Sequence, residues 1–251
     1  KTPYVITRRV LNPLSRNPLT RSVYRQARAV VALSSAVKER IQAYDPGLDH
    51  IRIIPSAKSD LPFDPENVAD LEKQYQGKFV IGHIGALINK DKGQRYLIEA
   101  ARALRSEMAD LYFLFLGEGA DRPEFEAAAD GLDSIEFAGF KKNVGDYLAV
   151  MDLLVLPSLK EGLGSIILDA MDYRVPVIAS AVGGIPDVIS HGQNGLLVPP
   201  ADSRAIAEAI RALYADPEKR LSMADAAFQT ARRYSADHIG KAYLDLYEEL
   251  C

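Results

Sequence analysis

Tryptophan is absent from the 251 residues, cysteine occurs once, as Cys251, and the four histidines lie far apart at His50, His83, His191 and His238. A single cysteine excludes a disulfide within the chain and any cysteine-based metal site. Dispersed histidines offer no cluster of metal ligands, and no Asp-x-Asp pair is present to hold a metal-bound diphosphate. No metal and no cofactor is therefore expected. No apolar run approaches the ~20 residues a bilayer span requires, and no signal-peptide pattern opens the chain. These absences together predict a cytoplasmic protein.

What is present is ordinary for a folded chain, 48% apolar and 25% charged residues with a net charge of −4. That balance gives no reason to expect a nucleic-acid partner. It hides an asymmetry, because residues 1–40 carry nine basic residues (Lys1, Arg8, Arg9, Arg16, Arg21, Arg25, Arg28, Lys38 and Arg40) against Glu39 alone. A basic face at one end predicts contact with phosphates or an anionic surface; a solvated helix flank explains it equally well.

From residue 78 onward, short apolar runs (KFVIGHIGAL, LYFLFLG, SIEFAGF, DLLVLPS, VPVIAS, GLLVPP) alternate with segments of helical periodicity (QRYLIEAARALRSEM, RPEFEAAADGL, SIILDAMDYR, SRAIAEAIRALYADP). Nearly all-apolar strands, each followed by an amphipathic helix, predict a parallel sheet covered on both faces, a doubly wound α/β domain. Residues 1–56 repeat the same grammar in PYVIT, a helix near 19–27, RAVVALS, SAVKERIQAY and IRIIPS. Three strands and two helices that open on Lys1 read as the end of an α/β domain whose beginning is missing. The predicted division is therefore that remnant at 1–56, a linker and helix at 57–77, the main domain at 78–234, and a final helix at 235–251 packing back on the first part.

Ligands of an open parallel sheet bind beyond the carboxyl ends of its strands, where the crossover direction changes. After the strand ending near Pro157 comes Glu161-Gly162-Leu163-Gly164-Ser165, with Ser165 placed to cap a helix and the glycines leaving backbone amides approachable. Free amides and a helix dipole favour a phosphate. Asp169, a turn further on, is placed to accept hydrogen bonds from sugar hydroxyls, as is Glu161; a solvated Glu161 and an Asp169 serving only its helix are the plain alternative. In GALINKDKG, Lys90 and Lys92 precede Gly93 at a helix start, where a cation is misplaced unless an anion lies between. Phe140 and Lys141 end another strand and either flank a base or turn the chain. His83 reads as a satisfied core residue, and helix-start chemistry accounts for Gly183 and Gly184 ahead of Pro186.

Taken together, GALINKDKG, LGEGADRPEFE, FAGFKKN, LPSLKEGLGSIILDAM and VPVIASAVGGIPDVI resemble the donor-binding half of retaining glycosyltransferases of the GT-B fold, group 1 or family 4. The likeness spans roughly residues 78–250 and extends weakly to ARAVVALSSAVKERI and IRIIPS. It implies a Rossmann-like GT-B fold with an incomplete N-terminal domain. It also implies transfer of a sugar from a nucleoside-diphosphate sugar to an acceptor hydroxyl, with retention and without metal. On the resemblance, Glu161 contacts donor sugar hydroxyls and is catalytic together with Lys92, which holds the diphosphate. Gly162, Leu163, Gly164 and Ser165 offer amides, and Asp169 takes the ribose from a position where the family has glutamate. Gly85 belongs to the donor site, Phe140 and Lys141 lie where the base is contacted, and Ala86 stands where the family often has arginine, so that Lys90 compensates. The implied partners are a nucleotide sugar, a saccharide or lipid-linked acceptor, and an anionic membrane at its inner face. An epimerase of the same fold, or a fragment that binds the donor without catalysis, are the rival readings.

Overall fold

Two parallel sheets form, and the first is short. β1 (Val5–Arg8), β2 (Ala29–Ala32) and β3 (Ile51–Ile53) pair in that order, with Val5 opposite Ala29 and Val30 opposite Ile51. The computed structural model describes residues 3–15 and 17–250, so Lys1, Arg16 and Cys251, named above, lie outside the described residues. α1 (Pro18–Gln26) begins where the Asn17 side chain accepts from Thr20 N, and α2 (Ser35–Tyr44) where Ser34 does the same for Val37 N. One face of this sheet buries Val30 and Ala32 against Tyr24, Val37, Ile41 and Leu48. The other face buries Ala29, Val31 and Ile54 against Ile239 and Leu246 of the last helix, α12 (Ala236–Leu250). Each such Val, Ile or Leu side chain stabilises by about 1.5–3 kcal/mol when fully buried, which is enough to fasten α12 to the first sheet.

Residues 57–64 do not form a free tether. Lys58 N donates to Tyr234 O (2.8 Å), Ser59 bonds Asp169, Tyr173 Oη donates to Leu61 O (2.7 Å), and Asp64 N donates to Asp146 Oδ1 (2.7 Å). The segment is a strap laid along the second unit, and it ends in α3 (Pro65–Gln74), capped by Asp64 with Pro65 at its first turn.

The second sheet has the order β6-β5-β4-β7-β8-β9, all parallel. Its strands are β4 (Phe79–Ile84), β5 (Leu111–Leu116), β6 (Ile135–Gly139), β7 (Leu153–Leu156), β8 (Val177–Ser180) and β9 (Leu196–Val198). α4 (Asn89–Lys92), α5 (Gln94–Leu104), α6 (Arg122–Ala128), α7 (Val144–Ala149), α8 (Ser165–Asp172), α9 (Ile185–Val188), α10 (Ser203–Ala215) and α11 (Pro217–Arg232) connect and cover them. Because the strands are apolar on both sides, there are two cores. Phe113, Phe115, Leu97 and Ile210 fill one face, while Leu114, Leu154, Ile167, Leu168 and Met171 fill the other. This is the doubly wound, Rossmann-like sheet expected, and the winding reverses between the adjacent strands β4 and β7. The cleft above that pair is where a ligand of such a fold belongs.

Candidate functional site

Two loops close over the switch point, and backbone bonds lock them together. Leu159 N and Lys160 N, in the loop after β7, both donate to Asp91 O in α4 (2.9 and 3.1 Å). Gly93, between α4 and α5, has φ +62°, and a Cβ there would stand 2.4 Å from Pro157 O. Only glycine permits both the left-handed turn and the close approach. The lock brings Lys92 Nζ to 2.5 Å from Glu161 Oε2, with both side chains about three-quarters or more removed from solvent. The two residues singled out as catalytic in the sequence therefore form one ion pair.

The helix after the glycine turn is uncapped. Gly164, at φ +78°, is the N-cap of α8, and no side chain bonds its first amides. Ser165 was expected to be the cap; it is instead the first helical residue, because the left-handed turn needs glycine at the cap position itself. Leu163 is a core side chain, 4% exposed, so only its backbone faces the turn. The open amides and the positive end of α8 lie beside the Lys92–Glu161 pair, a favourable setting for an anion.

Asp169 is buried on α8, where Oδ1 accepts from Ser59 N (2.6 Å) and Oδ2 from Ser59 Oγ (3.2 Å). Burial raises its carboxyl above the ordinary aspartate value, against the lowering effect of those bonds. Asp172, one residue short of a turn later, holds Lys58 Nζ at 2.9 Å. The strap is thus fastened along α8 by two carboxylates.

Beyond the ends of β4, β5 and β6 lies a cavity of about 310 Å³, walled by Gly85, Ala86, Gly117, Glu118, Phe140 and Lys141. Phe140 is 69% exposed, and Lys141 Nζ sits 5.5 Å from the Tyr147 ring centroid. Lys90 is exposed on α4, on the same short helix as Lys92. His83 is the core residue expected. Its Nδ1 lies 3.0 Å from Val155 O, its Nε2 3.3 Å from Gln94 Nε2, and burial pulls its pKa down to about 4.

Gly183 and Gly184 do more than start a helix, contrary to the sequence reading. A Cβ on Gly183 would fall 1.7 Å from Glu161 O, and one on Gly184 would fall 2.3 Å from Gly162 O. Gly184 N donates to Glu161 O (3.3 Å), and Ser34 Oγ, from the first unit, donates to Gly162 O (2.8 Å). Asp187 Oδ2 accepts from Ser35 N (2.6 Å), at the start of α2. These residues position the carboxylate turn, and none was found in the sequence as such. The adjacent glycines were the available signal; Ser34 and Asp187 gave none. Among the described residues, no three His, Cys, Asp or Glu side chains gather as a metal would require.

Residues 78–216 match a family described as glycosyl transferases group 1. Alpha-D-kanosaminyltransferase of Streptomyces kanamyceticus is 31% identical over 261 residues, which cover 99% of this chain and 67% of that protein. Putative glycosyltransferase EpsD of Bacillus subtilis is 33% identical over 165 residues, covering 64% of this chain and 43% of that protein. The chain thus spans two thirds of one relative and less than half of the other. In fold it is similar to HepE of Anabaena, solved with UDP, with a TM-score of 0.88 at 23% identity, covering 98% of this chain and 72% of that one. WaaG, a lipopolysaccharide-biosynthesis glycosyltransferase, gives 0.71 at 20% identity, covering 85% and 61%.

Proposed function

This chain belongs to the glycosyl transferases of group 1, and we propose that its switch-point cleft holds a nucleoside-diphosphate sugar whose glycosyl unit passes to an acceptor hydroxyl with retention of configuration. The observation that carries the reading is the Lys92–Glu161 pair beside the uncapped start of α8. In the proposed arrangement the base enters the cavity walled by Phe140, Lys141 and Gly85, and the ribose hydroxyls reach Asp169 alongside Ser59. The diphosphate lies between Lys92, with Lys90 near it, and the amides of Gly162 to Ser165. Glu161 accepts from the sugar hydroxyls.

Transfer breaks the bond from the anomeric carbon to the diphosphate oxygen, which keeps the electron pair, and the acceptor oxygen makes the new bond as its O–H proton passes to the departing phosphate. Charge then grows on the departing phosphate, where Lys92, the amides and the helix dipole stabilise it without a metal. HepE, of the same fold, was crystallised with UDP-glucose, which supports a donor of this class. The reading extends to a cytoplasmic setting with a saccharide or lipid-linked acceptor at an anionic membrane. Leu19 (72% exposed) and Val23, one turn apart on α1, support it together with exposed Arg28 and Arg40.

Titration calorimetry with UDP, GDP and ADP, each with and without millimolar EDTA, tests the proposal. One diphosphate is expected to bind equally well in both buffers, and no heat with any of the three overturns the reading. In the same assay Glu161→Gln is expected to lose about 1–3 kcal/mol toward the nucleotide sugar, from a charge-assisted hydrogen bond. It should lose nothing toward the free diphosphate, because Lys92 is then released from its ion pair.

A further inference from the structure

Beneath the cleft lies a buried polar chain that neither packing nor the proposed chemistry has used. His83 and Gln94 are both 0% exposed. His83 is braced by Val155 O at Nδ1, and its Nε2 meets the Gln94 amide. The same Gln94 nitrogen donates to Ala86 O at 2.6 Å, while Gln94 Oε1 is buried without a partner among the described residues. An unpaired buried oxygen is costly, and at the first position of α5 the Gln94 nitrogen offsets that cost only through its two partners, His83 Nε2 and Ala86 O.

What the chain holds is the backbone of the cleft wall. Ala86 O accepts from Ile88 N (2.9 Å) as well as from Gln94, and Leu87 N donates to Glu118 O (3.0 Å), so the peptide after Ala86 is fixed. The peptide before it is fixed by contact, since Gly85 O lies where a Cβ on Gly117 would come within 2.0 Å, on the β5 side. The described chain has no cis peptide bond. In a planar trans peptide N–H and C=O point in opposite directions, so Ala86 N–H points away from β5. The other neighbour of β4 is β7, whose loop carries Glu161. Ala86 is exposed, and its N–H meets no acceptor among the described residues.

We propose that Ala86 N–H is a direct donor to the diphosphate, and that Gln94, braced by His83, is the positioning residue that aims it. This rests on the donor reading above and adds a phosphate ligand that has no side-chain signature. One preoriented amide, held by a buried brace, supplies a dipole without a counterion of its own.

The test uses the protein labelled with ¹⁵N at alanine, titrated with inorganic pyrophosphate and with whichever of UDP, GDP and ADP binds. The Ala86 amide is expected to move downfield with both ligands. In Gln94→Leu, measured at a temperature where its thermal melt shows it folded, that movement shrinks and the dissociation constant for the nucleoside diphosphate rises about tenfold. The affinity of the corresponding nucleoside changes less than twofold, a split that a merely structural role does not produce. An Ala86 resonance that stays still while the nucleoside diphosphate binds overturns the inference and leaves the donor reading intact. An unchanged constant in Gln94→Leu does the same. Failure of the wild-type protein to bind any of the three diphosphates takes down both.

Discussion

His83 shows how a single residue links the cleft to the stability of the fold. The imidazole is wholly buried between β7 and α5, and burial, more than any neighbour, pulls its pKa from 6.5 down to about 4. Lys92 adds a smaller push in the same direction. The unfolded chain therefore takes up a proton on this residue first as the pH falls. The sign follows from linkage, since stability falls wherever the unfolded state binds more protons. The contribution is intact above pH 6.5 and is lost as the pH drops from 6.5 toward 4. Between pH 7 and pH 5 the loss is on the order of 2 kcal/mol. Urea midpoints of the wild type and of His83→Gln at the two pH values measure it. The wild type is expected to lose the additional increment, and equal losses in both proteins would show that His83 does not titrate on unfolding.

At the level of elements, glycines divide into those that serve a turn and those that also admit a neighbour. Gly183 (φ +55°) and Gly192 (φ +77°) both adopt left-handed backbone, but only Gly183 has another chain segment, Glu161 O, inside the reach of a Cβ; Gly192 has nothing within 4 Å. Gly192→Ala is expected to cost only the backbone strain, about 1–2 kcal/mol, with nucleotide-sugar affinity unchanged. Gly183→Ala is expected to cost more and to weaken nucleotide-sugar binding, because Glu161 must move. Thermal melts and calorimetry on the pair separate the two effects, and equal behaviour of the two variants would rule out the close contact. The same contrast explains what the sequence made legible. The runs FVIGHI, LYFLFL, LLVL and VIAS declare buried parallel strands because their signal is local and periodic, and Lys92 and Glu161 stood out through their spacing from glycine. The strap at 57–64 was read as a linker because AKSDLPFD has no periodicity, and its fastening to Asp169 and Asp146 crosses 110 and 82 residues. Ser165 looked like a cap by type, and nothing local shows that Gly164 already occupies that position. Gly183 and Gly184 were visible as glycines, while the carbonyls they admit were not.

On the scale of the whole molecule, the excess of basic residues near the N-terminus is partly consumed within its own unit. Asp45, 1% exposed, accepts from both Arg21 and Arg25, and those guanidinium groups hold its carboxyl far below the usual carboxylate range. Other polar groups of that unit face the second sheet, and they meet it at the carboxylate turn. Ser34 Oγ holds Gly162 O, Asn12 Oδ1 accepts from Lys160 Nζ (2.8 Å), and Asp187 Oδ2 accepts from Ser35 N. Asp187 therefore caps α2 from across the junction, setting a carboxylate on the positive end of a helix in the other unit. The junction and the turn bearing Glu161 are consequently one structure, and loosening the first should disturb the second. Asp187→Ala removes a cap contact of about 1 kcal/mol, small against the total stability of a folded domain, so the fold is expected to persist with an unchanged far-ultraviolet spectrum. The expected consequence is a larger radius of gyration by small-angle scattering, and a fall in transfer rate that exceeds the fall in donor affinity. On the proposed reading, the acceptor side would then meet the donor less often, although the cleft itself keeps its residues. Asp187→Asn retains an acceptor oxygen without the charge and is expected to fall between the two. Scattering and transfer indistinguishable from wild type in Asp187→Ala would separate the junction from the chemistry and leave Asp187 as a surface cap.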